Sequence, residues 1–194
     1  MLFRSDLLAA DFEKHVSGLK SPRAKASEIE HAIKAHISVR IDEDPAYFKK
    51  LSERLREILA AHHDKWDKLV EQLMLFRDSI ETERTQEACD LGLSDTEFAF
   101  RNIIKEAAAE CGLVNHDYSI DDEIIELTKR LVKMLDEASS IVDFFKKVDE
   151  IRAVKRKIKR GLMETSFGDN NGLRKKIIDQ FLELAKVKFG DHRN

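Results

Sequence analysis

The chain of 194 residues has few cysteines, prolines and glycines, and these scarcities exclude several classes of protein. Two cysteines, Cys89 and Cys111, cannot form the disulfide framework of a small secreted domain, so we expect reduced intracellular thiols. No apolar run approaches the roughly 18 residues that a membrane-spanning helix needs. The amino-terminal residues also lack the uninterrupted apolar stretch of a secretory signal. We therefore predict a cytoplasmic protein with no membrane partner.

Catalytic signatures are absent as well. The sequence contains no GxxxxGK[ST] phosphate loop, no GxGxxG dinucleotide motif and no HExxH metal motif. It also contains no GxSxG nucleophile elbow and no CxxC pair. We therefore predict that this chain has no catalytic residue and needs no cofactor.

The histidines offer only weak candidates for chemistry. Glu28 and His31 form one ExxH pair on a helix face, with His36 a turn and a half further along. A carboxylate-bridged di-metal bundle needs two such pairs and two further glutamates, so we predict no metal site and interpret the residues as a polar surface pair. Bound iron, manganese or zinc would instead indicate a small bundle enzyme. For His62 and its neighbour His63 we expect packed or half-exposed side chains, because no nucleophile accompanies them.

Helical periodicity runs through the rest of the chain, with no sustained strand alternation, so the predicted fold class is all-α. Asp44-Pro45 is a strong helix start, since aspartate caps amino-terminal amides and proline has no amide hydrogen to satisfy. Apolar or aromatic positions then recur at alternating spacings of four and three, which is typical of a helix packed lengthwise on others. They are Leu55, Leu59, His62, Trp66, Leu69, Leu73, Phe76 and Ile80.

This seam predicts one helix from residue 45 to about 89, roughly 65 Å long at 1.5 Å per residue. The expected architecture is an elongated multi-helix bundle with this long central helix, in which Trp66 is a core anchor and His62 takes a core position. Glycine, proline and capping signals divide the remainder into further helices. Their predicted ranges are 6–16, 24–41, 94–111, 120–137, 141–162 and 173–189.

Charge is distributed unevenly along the chain. Residues 145–194 carry 14 Lys+Arg against 7 Asp+Glu, whereas residues 1–144 carry 20 against 30. Eight of the fifteen residues from Lys146 to Arg160 are basic. A basic shell of this density indicates contact with a polyanion, with the acidic body of the protein itself, or only with solvent. Apolar residues recur through it at helical spacing and predict one buried face, formed by Phe144, Val148, Ile151, Val154 and Ile158.

The basic helix is the functional candidate that remains. Long, permanently charged side chains on a rigid helix suit phosphate groups. No base-reading signature accompanies them, so we predict non-specific contact with the backbone of double-stranded DNA. The candidate residues are Lys147, Arg152, Lys155, Arg156, Lys159 and Arg160, joined by Lys157 and, from the last helix, by Arg174, Lys175 and Lys176.

Three segments resemble one known family, the C-terminal helical domain of the R subunit of type I restriction enzymes of the HindI-like branch. Residues 28–59 read EIEHAIKAHISVRIDEDPAYFKKLSERLREIL, and residues 91–100 read LGLSDTEFAF, which is similar to the family's LGLSEEELAFY. In the basic helix, Asp143-Phe144 stands where the family usually has Asp-Trp. The likeness covers about residues 23–189. It departs at 165–169, where TSFGD replaces the family's Tyr-Gly-Tyr-Pro-Pro turn.

The resemblance implies a role and a domain division. Residues 1–22 would be an amino-terminal helix and linker, and residues 23–194 the C-terminal helical domain. In that family the nuclease and ATP-driven motor domains lie upstream, so this chain alone is expected to be non-catalytic. It would dock the R subunit on the methyltransferase core of M and S subunits, close to DNA. The alternative is a stand-alone helical protein-protein interaction module that does not bind DNA.

Overall fold

The computed structural model describes residues 7–110, 112, 118–166 and 168–190. Within these residues all regular structure is helical, which confirms the predicted all-α class. In this described part of the chain, one 3-10 turn at Phe144–Lys146 accompanies the α-helices. The α-helices are α1 (Phe12–Ser17), α2 (Pro22–Arg40), α3 (Pro45–Ala61), α4 (Trp66–Asp90), α5 (Asp95–Glu110), α6 (Tyr118–Ser139), α7 (Val148–Met163) and α8 (Asn171–Phe189).

The chain divides into two compact units. The first unit comprises Met1–Ile41 and Tyr47–Glu87, and the second comprises Asp42–Ala46 and Ala88–Asn194. Each unit has its own apolar core. The separate division at residue 22, expected from the family resemblance, stays a prediction.

The core of the first unit is built where α2, α3 and α4 each present an apolar stripe. Ile33 of α2, Phe48 of α3 and Phe76 of α4 are almost completely inaccessible to solvent. α2 begins two residues earlier than predicted, because Ser21 caps it and Pro22 occupies its first position. The Ser21 hydroxyl oxygen accepts a hydrogen bond of 3.2 Å from the Ala24 amide.

The predicted single long helix is wrong, since α3 ends at Ala61 and α4 begins at Trp66. Between them the Lys65 amide donates a 3.0 Å hydrogen bond to the His62 carbonyl, which closes a turn. The seam positions on either side are buried, or partly buried at Leu59, but Trp66 is 40% exposed and is no core anchor. His62 is half-buried. Residues 62–65 are all polar and offer no apolar side chain to pack on a neighbouring helix. Because tertiary packing supplies most of the stability of a helix, the helix is interrupted there.

The signals that separate α4 from α5 are confirmed. Gly92 has a φ of +61°, and its amide donates to the Cys89 carbonyl at 2.9 Å, which ends α4 in the left-handed manner typical of glycine. The Ser94 amide then donates to the Glu97 carboxylate at 2.8 Å, and the Glu97 amide donates to the Ser94 hydroxyl at 3.3 Å. These reciprocal bonds form the predicted capping box.

The second unit closes a core between α5, α6, α7 and α8. Phe100 of α5 and Phe181 of α8 lie edge to face with ring centroids 4.8 Å apart. α7 approaches α6 closely at Gly161, where an added β-carbon would lie 3.3 Å from side-chain carbons of Leu127 and Leu131. A glycine at this position lets α7 pack tightly and fixes which of its faces remains in solvent.

The largest remaining differences in predicted helix starts are those of the basic helix and of α1. The basic helix begins at Val148 rather than at 141, because Asp143 takes a left-handed φ of +54° and the chain makes only a 3-10 turn before α7. Val148 is 59% exposed, so its assignment to the buried face is wrong, whereas Val154 and Ile158 are buried. α1 is shorter than the predicted helix 6–16, and its first predicted residue lies outside the described residues.

Candidate nucleic-acid interface

The basic side chains of α7 are arranged in a stripe beside its buried face. Positions three and four apart share one side of a helix, so Arg152, Lys155, Arg156 and Lys159 line up along α7. The carboxyl-terminal turns of α7 carry Arg160 as well. The buried residues of the helix, Val154, Ile158 and Leu162, occupy the adjoining side and anchor α7 to the core of the second unit. The charged stripe is therefore held on a rigid surface.

α8 packs against α7 and completes an open groove of about 370 Å³ between the two helices. Asn170 starts α8 by accepting a 3.0 Å hydrogen bond from the Leu173 amide. The groove contains five cationic side chains and one carboxylate, with the side chain of Ile178 between them. Its lining residues are Lys155, Arg156, Lys159, Asn171, Arg174, Lys175, Ile178 and Asp179. Two segments that are separate in the sequence thus form one positively charged surface.

Several of the predicted DNA-binding residues have partners within the protein. Lys155 Nζ lies 3.6 Å from Asp179 Oδ1, and Arg152 pairs with Asp149 at 3.2 Å, one turn earlier on α7. The Arg174 guanidinium donates to the Gly168 carbonyl and so holds the α7–α8 connection. These contacts within the protein engage three of the predicted DNA-binding residues.

Three other cations of α7 and one of α8 are available to a ligand. Arg156, Lys159, Arg160 and Lys175 are exposed and form no ion pair with any residue in the described ranges. Of the ten predicted residues, Lys176 alone pairs with an acid of α5 or α6 in the described part of the chain, namely Glu110. Ion pairs with the acids of α5 and α6 therefore neutralise little of this positive charge.

Lys147 and Lys157 lie apart from the groove. Lys147 precedes α7 and is eight residues from Lys155, which corresponds to about 12 Å along a helix axis. Lys157 is exposed two positions after Lys155, on a different side of α7 from the stripe. Three residues not predicted from the sequence, Asn171, Ile178 and Asp179, line the groove. The spacing 171, 174, 175 and 178 on α8 was the sequence signal that could have identified this face.

The weaker chemical candidates are not brought together. Glu28 lies 3.4 Å from His15 of α1, whereas His31 is exposed and the His36 ring lies 6.1 Å from that of Phe48. Among the described residues, no group of three or more histidine, cysteine, aspartate or glutamate side chains is placed to hold a metal ion.

The remaining predicted thiol and histidine positions are at the surface or outside the described ranges. His63 contacts Asp64 at 2.6 Å on the exposed turn between α3 and α4. Cys89 is exposed and free, and Cys111 lies outside the described residues. No described helix combines the length and the apolar character required to cross a lipid bilayer.

Comparison with known proteins agrees with the resemblance seen in the residues. Residues 4–188 match the family model described as type I restriction enzyme HindI endonuclease subunit-like, C-terminal. The chain belongs to this family. A putative type I restriction enzyme MjaIXP endonuclease subunit of Methanocaldococcus jannaschii is 27% identical over 153 residues. The match covers 77% of this chain but only 14% of that relative, and no solved structure matches.

Proposed function

We propose that this chain is a non-catalytic docking and DNA-proximal domain of a type I restriction endonuclease subunit in the cytoplasm. It would join that subunit to the methyltransferase core of M and S subunits and contact the DNA backbone through the groove between α7 and α8. Family membership supports assembly with other subunits and DNA. The observation that carries the DNA contact is the convergence of cations from both helices around one groove.

The charge pattern of the groove suits a phosphate backbone better than specific bases. Arg156 and Lys159 of α7 face Lys175 of α8 across the groove, and none of the three has an ion-pair partner among the described residues. Each phosphate contact releases condensed counterions, so duplex affinity should fall with salt at a log–log slope of about −0.9 per contact. Without a base-reading element, binding should be insensitive to sequence.

The test replaces the three unpaired groove cations, Arg156, Lys159 and Lys175, with glutamine. We expect non-specific duplex affinity to fall roughly 10- to 100-fold and the salt slope to become shallower by about 2.7. Fluorescence anisotropy of a labelled duplex at several salt concentrations measures both quantities. Glutamine preserves most of the side-chain length, so the folded α7–α8 pair should persist.

A matched control changes three exposed lysines outside the groove, Lys14, Lys50 and Lys133, to glutamine. These residues also have no ion-pair partner among the described residues, and the change in net charge is the same. The control should retain most of the duplex affinity. Equal losses in both triple variants would show that only overall charge matters and would contradict a groove contact.

An exposed apolar patch in the second unit favours a protein interface, and this observation also supports the alternative of an interaction module that does not bind DNA. Val142 is 75% exposed and Val148 59% exposed, with Ile141 and half-buried Phe145 beside them in the sequence. Four apolar side chains that are exposed or half-buried within eight positions are an unusual surface for a free domain. In this proposal they contact the methyltransferase core.

Replacing Val142 and Val148 with lysine should weaken binding to an assembled methyltransferase core by tenfold or more, measured by calorimetric titration. The matched control replaces two exposed apolar residues of the first unit with lysine, Val39 of α2 and Leu75 of α4, which are 70% and 58% exposed. If the parent binds the core but no duplex at any salt concentration, the DNA contact is wrong and the interaction module is supported.

Catalytic silence of the chain alone is a separate part of the proposal. Purified chain incubated with supercoiled DNA, Mg²⁺ and ATP should neither cleave the DNA nor hydrolyse ATP. Its support is the lack of a phosphate loop, a dinucleotide motif and an HExxH metal motif in the sequence. Cleavage that co-purifies with the protein through successive columns would contradict it.

A further inference from the structure

Trp66, the chain's single tryptophan, is exposed in a cleft of the first unit. It occupies a position of the apolar seam at which burial was predicted, yet 40% of its surface is accessible. Tryptophan is the largest apolar side chain, and leaving its ring in water forgoes a substantial burial free energy. An exposed indole beside cations is therefore a feature to be explained.

The cleft is open and has a volume of about 560 Å³. It lies between the start of α2 and the start of α4, so both walls belong to the same unit. The Arg23 guanidinium sits 5.5 Å from the centroid of the Trp66 ring and covers one face of it. The lining residues are Ser21, Pro22, Arg23, Asp64, Lys65, Trp66, Asp67 and Lys68.

Charges around the cleft favour an anion, although two carboxylates oppose it. Lys65 and Lys68 form no ion pair with any residue that the structure describes. Both carboxylates line the cleft. Asp64 contacts His63, which does not line the cleft, at 2.6 Å, and Asp67 lies between Lys65 and Lys68 in the sequence. The amino-terminal turns of α2 and α4 border the cleft and add partial positive charge.

We propose that this cleft binds single-stranded nucleic acid, with one base stacked on Trp66 and the adjoining phosphates paired with Arg23, Lys65 and Lys68. An aromatic platform flanked by cations is the combination by which proteins hold single strands without reading sequence. A duplex fits poorly because its bases are already stacked on each other. The site is distinct from the α7–α8 groove and does not depend on the proposed duplex contact.

Because Trp66 is the single tryptophan, its fluorescence reports on this site alone. Titration with a twelve-nucleotide oligothymidylate at low salt should quench Trp66 emission saturably, since a stacked base contacts the indole directly. The same sequence as a duplex with its complement should quench far less at equal phosphate concentration. Absent quenching, or equal quenching by both forms, would overturn the proposal.

Variants separate stacking from charge. Trp66→Ala should weaken binding of a labelled oligothymidylate about tenfold in anisotropy, and Trp66→Phe should weaken it less, because phenylalanine still offers a smaller stacking surface. Unchanged binding by both variants would overturn the stacking role. Circular dichroism of both variants checks that α4 is retained.

Charge variants test the phosphate contacts. Lys65→Gln combined with Lys68→Gln should reduce the affinity and flatten the salt slope by about 1.4, at −0.7 per single-strand contact. Asp67→Asn should raise the affinity two- to threefold. The groove variant at Arg156, Lys159 and Lys175 should leave the Trp66 quenching curve unchanged. Saturable quenching by polyglutamate with the same affinity would reassign the cleft to acidic proteins and overturn the nucleic-acid assignment.

Discussion

The two units carry nearly the same kind of helical core but distribute charge differently. The first unit has 15 Lys+Arg against 14 Asp+Glu, interleaved along its helices. The second has 19 against 23, and there the signs are separated: residues 42–46 and 88–144 hold 5 basic and 16 acidic residues, and residues 145–194 hold 14 and 7. Net charge alone would rank the second unit as the poorer binder of a polyanion.

The comparison shows that local charge, rather than net charge, makes a candidate interface. In the second unit two neighbouring helices carry cations that line one groove, while α5 and α6 together hold ten acidic residues against five basic ones. In the first unit the candidate cleft has three cations and two carboxylates, and an exposed indole supplies the additional interaction. Proposed duplex binding at the α7–α8 groove should therefore depend mainly on ionic strength, whereas the binding proposed at the Trp66 cleft should combine ionic contact with stacking.

The strongest way to break the comparison is to damage one core only. Phe181→Ala should destabilise the second unit by about 3–5 kcal/mol, because it removes a fully buried ring that packs against Phe100. In urea unfolding, part of the helical circular dichroism signal should then be lost at a lower urea concentration than in the parent. The midpoint of Trp66 emission, which reports on the first unit, should stay the same. A parallel shift of both signals would show that the units unfold together.

Phe76→Ala is the reciprocal change in the first unit, where the ring is equally buried. The expected cost is again about 3–5 kcal/mol. Here the Trp66 transition should move to lower urea concentration, and the later part of the helical signal should remain. If Phe76→Ala leaves the Trp66 transition in place, that emission does not report on the core of the first unit.

Helix caps provide a smaller and matched contrast. Ser94→Ala removes one half of the reciprocal capping box of α5 and should cost about 1 kcal/mol. Ser21→Ala removes a single 3.2 Å cap from α2 and should cost roughly half as much. Denaturant midpoints measured on both variants show which cap contributes more stability. A larger loss of stability for Ser21→Ala than for Ser94→Ala would contradict this prediction.

The next change tunes the groove without removing a cation. Asp179→Asn eliminates the one carboxylate among the lining residues and frees Lys155 from its 3.6 Å contact. Duplex affinity should rise two- to fivefold, roughly the effect of one exposed ion pair. Asp67→Asn, in the cleft of the first unit, should leave duplex affinity unchanged. The same anisotropy titration measures both variants. If duplex affinity rises for Asp67→Asn but not for Asp179→Asn, the duplex does not bind in the α7–α8 groove.

The smallest predicted effect is a pH dependence at the turn before α7. A hydrogen bond of 2.7 Å from Lys146, together with its charge, lowers the pKa of Asp143 below its ordinary value of 3.8. Because the folded pKa is lower, the pair stabilises the turn above pH 3.8 and loses this contribution as the pH falls through the folded value. Lys146→Gln should return the Asp143 pKa towards 3.8, which NMR titration of the carboxyl group measures. An unchanged Asp143 pKa would exclude Lys146 as the cause of the shift.

Sequence reasoning located most helix boundaries because their signals are local. Gly92 and the Ser94–Glu97 box lie within a few residues of the bonds that they form, so their types and spacing were sufficient. The same reasoning failed at 62–65, where an apolar seam continued in spacing across a stretch that turned out to be an exposed turn. Spacing alone does not show which seam residues a neighbouring helix covers.

For the candidate interface, the residue types were predictable and their grouping was not. The basic stripe of α7 follows from helical periodicity, but its pairing with Lys175 across a groove depends on how α8 packs. The exposure of Val148 likewise depends on the left-handed Asp143 that delays the start of α7. The groove depends on contacts between segments that are not adjacent in the chain, whereas the start of α7 depends on a left-handed backbone conformation at Asp143 that the residue type did not reveal.

By itself the sequence determined the all-α class, the helix caps, the uneven charge and the family, since each rests on residue type and spacing within one segment. The tertiary structure decided that the long seam is two helices, that Trp66 is exposed, and that cations of α7 and α8 share a groove. The physical reason is that a helix fixes the relative directions of its own side chains, whereas only its packed neighbours determine which of those directions are covered.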